Sequence, residues 1–242
     1  MTRFRAASVA VAGVAAVAVA VALTRPAAGN AWTAAEGHFA DDPAAWRAAH
    51  DGFRADPTRG GARVVFLGDS YTRLWPADLW GRHFAPLGAV AYGVCGDGSA
   101  QVLWRVEHGE LNGTPVKAVV LLVGVNNALL VGDSAADAAR GVAAVLAAVR
   151  VRQPAATVLL LGVLPVHDPG DPVRAWVTDF NARVARLADG KAVHFADPGA
   201  HFLDADGNRR PGLYDPDRVH LTRSGYELLA EVVAPVLADA VR

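Results

Sequence analysis

The chain has a single cysteine, Cys95, so no disulfide can form within it and its stability has to come from a buried core. It also has no block of like charge. Its 23 Lys+Arg stand against 24 Asp+Glu, a net charge of -1, which excludes the basic footprint of a nucleic-acid binder. Motifs that hold metals or cofactors are missing too. "DADGN" (204–208) begins like a calcium loop, but its Gly falls too early and no Glu closes the frame, so it reads as a turn. "GVCGDG" (93–98) places glycines at 93, 96 and 98, a spacing that does not fit a dinucleotide fingerprint. Neither a metal nor an organic cofactor is expected.

What is present suits one domain of 242 residues, 52% hydrophobic, with that fraction inflated by Ala and Val near the start. Arg3 and Arg5 precede an uncharged run from Ala6 to Leu23 and then small residues. This is the layout of an export signal over 1–31, cleaved after Ala31, or of a retained membrane anchor; weakly hydrophobic Ala and Gly favour the removed signal and an exported protein, secreted or periplasmic. Residues 32–42 lack periodicity and read as a linker. The domain then runs over 43–242, starting at "DPAAWRAAHDGFRAD", where Pro43 opens a helix and Trp46, His50 and Phe53 recur at helical spacing.

Five short apolar runs follow: "ARVVFLG" (62–68), "GAVAYGV" (88–94), "VKAVVLLVG" (116–124), "ATVLLLGVL" (156–164) and "KAVHFAD" (191–197). They are continuous rather than alternating, as strands covered on both faces of a parallel sheet must be. Helical patterns lie between and after them, over 133–152, 172–189 and 222–242. The alternation predicts an α/β fold, a three-layer α/β/α sandwich around a doubly wound, five-stranded parallel sheet.

In such sheets, sites form beyond the carboxyl ends of the strands. Ser70 follows the first strand in Gly68-Asp69-Ser70, Gly96 the second and Asn126 the third, while His220 precedes the last helix. A serine hydroxyl needs a general base, itself oriented by a carboxylate. "YDPDRVHLTRSGY" (214–226) supplies Asp217 three residues before His220. Donors for an oxyanion can come from the Ser70 and Gly96 N–H groups and the Asn126 carboxamide. Tyr71, Val125 and Val219, neighbours of these groups, can wall a small apolar acyl pocket. His194 lies inside a strand, and His167 and His201 lie on loops without a carboxylate at suitable spacing, so His220 is the expected base. Asp69 is expected to fix the turn by local hydrogen bonds, and Cys95 to be a small packed residue.

Taken together, Gly68-Asp69-Ser70, Gly96, Gly124-Val125-Asn126-Asn127 and Asp217-x-x-His220 resemble the four blocks of the SGNH (GDSL-type) hydrolases. Within that family the segments "FAPLGAVAYGVCGDGSAQVLWRVEHGEL" (84–111), "VGVNN" (123–127), "RQPAATVLLLGVLP" (152–165) and "HLTRSGY" (220–226) resemble the catalytic subunits of intracellular platelet-activating-factor acetylhydrolases and their bacterial relatives. Two positions depart: Asn127 stands where many members have Asp, and Cys95 where this branch tends to have Gly. The resemblance implies a flavodoxin-like fold and an ester hydrolase of short acyl groups, acetyl above all. A carbohydrate O-acetylesterase or lysophospholipase is the alternative within the enzymes, and a catalytically silent domain binding acylated glycans or a partner protein is the alternative outside them. The substrate is then a small-molecule or glycan ester, and the dimers formed by the resembling subunits make a homodimer the candidate assembly.

Overall fold

Each apolar run yields one strand: β1 Val64–Gly68, β2 Ala89–Gly93, β3 Ala118–Leu122, β4 Thr157–Leu161 and β5 Val193–Ala196. In the computed structural model, which describes residues 30–37, 42–113 and 115–240, these form one parallel sheet in the order β2-β1-β3-β4-β5. Val64 pairs with Ala89 on one side and Ala118 on the other, so β1 lies inside the sheet. Every residue of β1 and β3 is buried, whereas the edge strands β2 and β5 are partly open, which is why the inner runs are the more uniformly aliphatic.

The helices are α1 Pro43–Arg54, α2 Ser70–Arg73, α3 Ala77–His83, α4 Ser99–Glu107, α5 Ala135–Arg152, α6 Pro172–Ala185 and α7 Arg223–Ala240. Their starts follow local rules. Asp42 caps α1 through the Ala44 and Ala45 N–H groups, and Asp171 caps α6 through Val173, each followed by a proline at the first helical position. Helices α4, α5 and α6 pack side by side, and α3 packs on α7. Right-handed crossovers place these two groups on opposite faces of the sheet. The strand order reverses between β1 and β3, so the loops after β1, β2 and β3 meet at one rim.

The leader expected over 1–31 lies outside the described residues except for Asn30 and Ala31. Among the described residues no helix is long and apolar enough to cross a membrane. Residues 32–37, expected to be linker, lie on the domain instead. Ala31 is buried and its carbonyl accepts the Ser99 hydroxyl at 2.9 Å, the Ala35 N–H reaches the Ala100 carbonyl, and the Arg140 guanidinium stacks 3.4 Å from the Trp32 ring centre. One backbone hydrogen bond, a serine hydroxyl, a cation–π contact and the Glu36–Arg47 ion pair hold this segment, and none leaves a periodic trace in sequence.

Candidate active site

The end of β1 has room only for glycine: a Cβ on Gly68 would sit 2.1 Å from the Leu122 carbonyl oxygen of β3. The chain then turns sharply into α2. Asp69 is its cap, accepting the Tyr71 N–H at 3.0 Å, and this puts Ser70 at the first helical position with only 3% of its surface exposed. The expected local work of Asp69 is thus what it does. Burial shuts its carboxyl off from bulk solvent and, with the Asp97 charge adding to it, pushes its pKa up to about 7.

His220 arrives from the turn before α7. Its Nε2 lies 3.0 Å from Ser70 Oγ and its Nδ1 2.6 Å from Asp217 Oδ2. The other Asp217 oxygen accepts the Val219 and His220 N–H groups, each at 2.9 Å. Partial burial pushes the Asp217 carboxyl up, but the hydrogen bonds from the imidazole and the two amides outweigh it and hold the group below its ordinary value. An ionised Asp217 accepts a proton on Nδ1, leaving Nε2 with its lone pair toward the serine hydroxyl. Arg218, between the two, adopts the left-handed conformation (φ 64) that lets both side chains converge.

The three expected oxyanion donors stand on neighbouring strand ends. Gly96 sits at φ 85, a conformation that disfavours any side chain. Neither its N–H nor that of Ser70 meets an acceptor among the described residues. Asn126 is buried and spends one amide proton on the Asp97 carbonyl, at 2.9 Å, leaving the second. Asn127 does separate work: its Oδ1 accepts the Ser99 N–H and its Nδ2 donates to Ser99 Oγ and Asp133, fastening the start of α4 to the end of β3.

The acyl-pocket residues differ from expectation. Tyr71 is 1% exposed and its hydroxyl donates to the Val219 carbonyl at 2.6 Å, while Val125 is equally buried. Tyr71 therefore closes off space beside Ser70 rather than lining an open pocket; only Val219 is half-buried. Among the other histidines, His194 Nε2 faces the Lys191 carbonyl and His201 is exposed. His167 does have a carboxylate, contrary to expectation: Nδ1 is 3.0 Å from Asp171 Oδ2, four residues on. That pair belongs to the cap of α6, while the ring facing Ser70 is that of His220. Cys95 is half-buried, and burial pushes its thiol up, away from nucleophilic character. Among the described residues no cluster of side chains could hold a metal ion.

Sequence reasoning assigns nothing to Arg105, Asp97 and Glu110, all buried beneath this rim. The available signal was an arginine inside the apolar pattern "QVLWRVE" (101–107).

The chain is similar to several known proteins. Residues 66–228 match the profile of the GDSL-like lipase/acylhydrolase family. The platelet-activating factor acetylhydrolase IB subunit alpha1 of Homo sapiens is 38% identical over 184 residues, covering 75% of this chain and 78% of that protein. Among solved structures, a GDSL-like lipase from Bacteroides thetaiotaomicron superposes with a TM-score of 0.66 at 19% identity, covering 80% of this chain and 97% of the other. A carbohydrate acetylesterase family member from Sinorhizobium meliloti gives 0.58 at 18%, covering 74% and 99%. At these identities the two structures show a shared fold.

Proposed function

This chain belongs to the GDSL-like lipase/acylhydrolase family and is a carboxylic ester hydrolase, and from that footing we propose that it removes short acyl groups, acetyl above all, through Ser70, His220 and Asp217. The observation that carries the proposal is the continuous relay from Asp217 through His220 to Ser70, at 2.6 and 3.0 Å. Ser70 Oγ attacks the ester carbonyl as its proton passes to His220 Nε2. Asp217 stabilises the imidazolium, and the Ser70 and Gly96 N–H groups with the Asn126 amide receive the negative charge on the carbonyl oxygen. His220 returns its proton to the departing alcohol, and water, activated by the same imidazole, then releases the acyl group and restores Ser70.

The preference for short acyl groups rests on Tyr71. Its buried phenol, tied to the Val219 carbonyl, occupies the space beside Ser70 into which a long chain would extend. The name of the human relative, an acetylhydrolase, points the same way. The experiment is a comparison of acetyl, butyryl and octanoyl aryl esters, with Ser70→Ala as the blank. Acetyl should turn over fastest, and Tyr71→Ala should move the optimum toward butyryl. Fastest turnover on octanoyl by the unaltered protein sinks the acyl assignment. Acetylated xylan, chitin fragments and short-chain phospholipids in the same assay identify the leaving group.

A further inference from the structure

Arg105 of α4 is completely buried, and a buried guanidinium is weak support for stability, because the cost of desolvating it rivals what its partners return. Its placement suggests another use. Nε donates to Asp97 Oδ2 at 2.9 Å, one terminal nitrogen to the Tyr92 carbonyl at 3.1 Å and to Glu110 Oε1, and the other terminal nitrogen to the Gly68 carbonyl at 2.9 Å. Gly68 ends β1 two residues before Ser70. Tyr92 and Asp97 bracket the turn that carries Gly96. The Asp97 backbone carbonyl in turn accepts the Asn126 amide at 2.9 Å, and its carboxylate accepts the Trp46 indole N–H at 2.7 Å. One planar, five-donor group thus touches, directly or through Asp97, every segment that presents an oxyanion donor. Glu110 also faces the buried His50 at 3.2 Å.

We infer that Arg105 is a positioning residue for the ester hydrolysis, its guanidinium holding the β1 and β2 ends and the Gly96 turn so that the Ser70, Gly96 and Asn126 donors converge on one point. The inference rests on the reading of Ser70 as the nucleophile. A lysine keeps the charge but cannot bond Gly68, Tyr92, Asp97 and Glu110 at once. Small misplacement of preorganised donors is felt in kcat rather than in KM, on the order of tenfold to a hundredfold.

The test compares Arg105→Lys with Val145→Ala, a core truncation in α5 that lowers stability without touching the site. Kinetics on an aryl acetate and the rate of Ser70 labelling by a fluorophosphonate are measured well below each melting temperature. Arg105→Lys should lower kcat by about tenfold or more with KM within about threefold, and slow labelling by a similar factor, while Val145→Ala leaves both within about threefold. If Arg105→Lys does not fold, Asp97→Asn, which leaves one amide oxygen for two donors, Arg105 Nε and the Trp46 indole, carries the same comparison. A folded variant with kcat within about threefold of the unaltered protein overturns the inference, as does an equal loss in Val145→Ala. Failure of the unaltered protein to hydrolyse any ester or to be labelled at Ser70 overturns the nucleophile reading itself, a separate outcome.

Discussion

Asp69 offers a test that needs no substrate. Its carboxyl lies next to Ser70 at 1% exposure, and burial, joined by the Asp97 charge, raises its pKa to about 7 from an ordinary 3.8 against the opposing pull of the Tyr71 N–H and Arg105. An acid raised in the folded state binds its proton more tightly there than in the unfolded chain. Between the two pKa values the unfolded chain has released the proton and the folded one has not, so raising the pH favours unfolding. The stabilising contribution is whole below about pH 4, declines up to about pH 7 and is level above it. At ~1.4 kcal/mol per pH unit the full span is worth ~4 kcal/mol, of which ~3 falls above about pH 4.5. Asp69→Asn keeps an acceptor for the Tyr71 N–H and cannot titrate. Urea denaturation of both proteins at about pH 4.5, 6 and 8 gives their stability difference at each pH, which cancels groups that titrate alike in both. That difference should move in favour of Asp69→Asn by ~3 kcal/mol across the range. A difference constant within about 0.5 kcal/mol, or one that moves the other way, refutes the placement of a proton-binding Asp69 beside Ser70.

Ser70→Ala and His220→Ala should each lower kcat by at least about a thousandfold while melting within a few degrees of the unaltered protein. Near-normal turnover by purified Ser70→Ala would show that another group attacks the ester. Asn126→Ala should cost about a hundredfold in kcat with a smaller change in KM, and an unchanged kcat would remove Asn126 from the oxyanion site. Because Asn126 also binds the Asp97 carbonyl, its melting temperature is measured alongside.

Sequence was most informative where one short-range rule was enough. The strands fall inside their apolar runs because burial on both faces of a parallel sheet leaves a continuous aliphatic stretch. Asp42-Pro43 and Asp171-Pro172 mark helix starts by cap and ring geometry. Ser70, Asp217 and His220 could be named from four blocks in order, since strand-end placement is implied by topology. What escaped were contacts between distant segments. The Trp46–Asp97 and Arg105–Gly68 bonds join residues 51 and 37 positions apart, and no periodicity encodes them. The docking of 32–37 depends on a main-chain bond from Ala35 and on side chains that meet from distant segments, Trp32 with Arg140 and Glu36 with Arg47. His167 and Asp171 were close enough in sequence to pair, but Asp171 also caps α6, and its partnership with the histidine was masked by that simpler role.

The two halves of the site are held by different physics, and the Tyr71 hydroxyl is one of the groups that join them. The Ser70 half rests on the buried sheet, with Arg105 bonded to the strand end before Ser70. The base half is a surface turn, and its geometry requires Arg218 in the left-handed region, a conformation that costs an L-residue ~1 kcal/mol. The turn meets that cost with its own bonds, the Asp215 N–H to the His220 carbonyl and the Arg218 N–H to the Asp215 carbonyl, both at 2.9 Å. Those bonds fix its shape, not its distance from Ser70. The Tyr71 hydroxyl, donated from α2 to the Val219 carbonyl, spans that gap one residue away from Ser70 and one from His220. On the proposed reading, the phenol that limits acyl length is also a tether holding His220 over Ser70. A change at position 71 therefore acts on two quantities at once, acyl selectivity through the space vacated and kcat through the placement of the base.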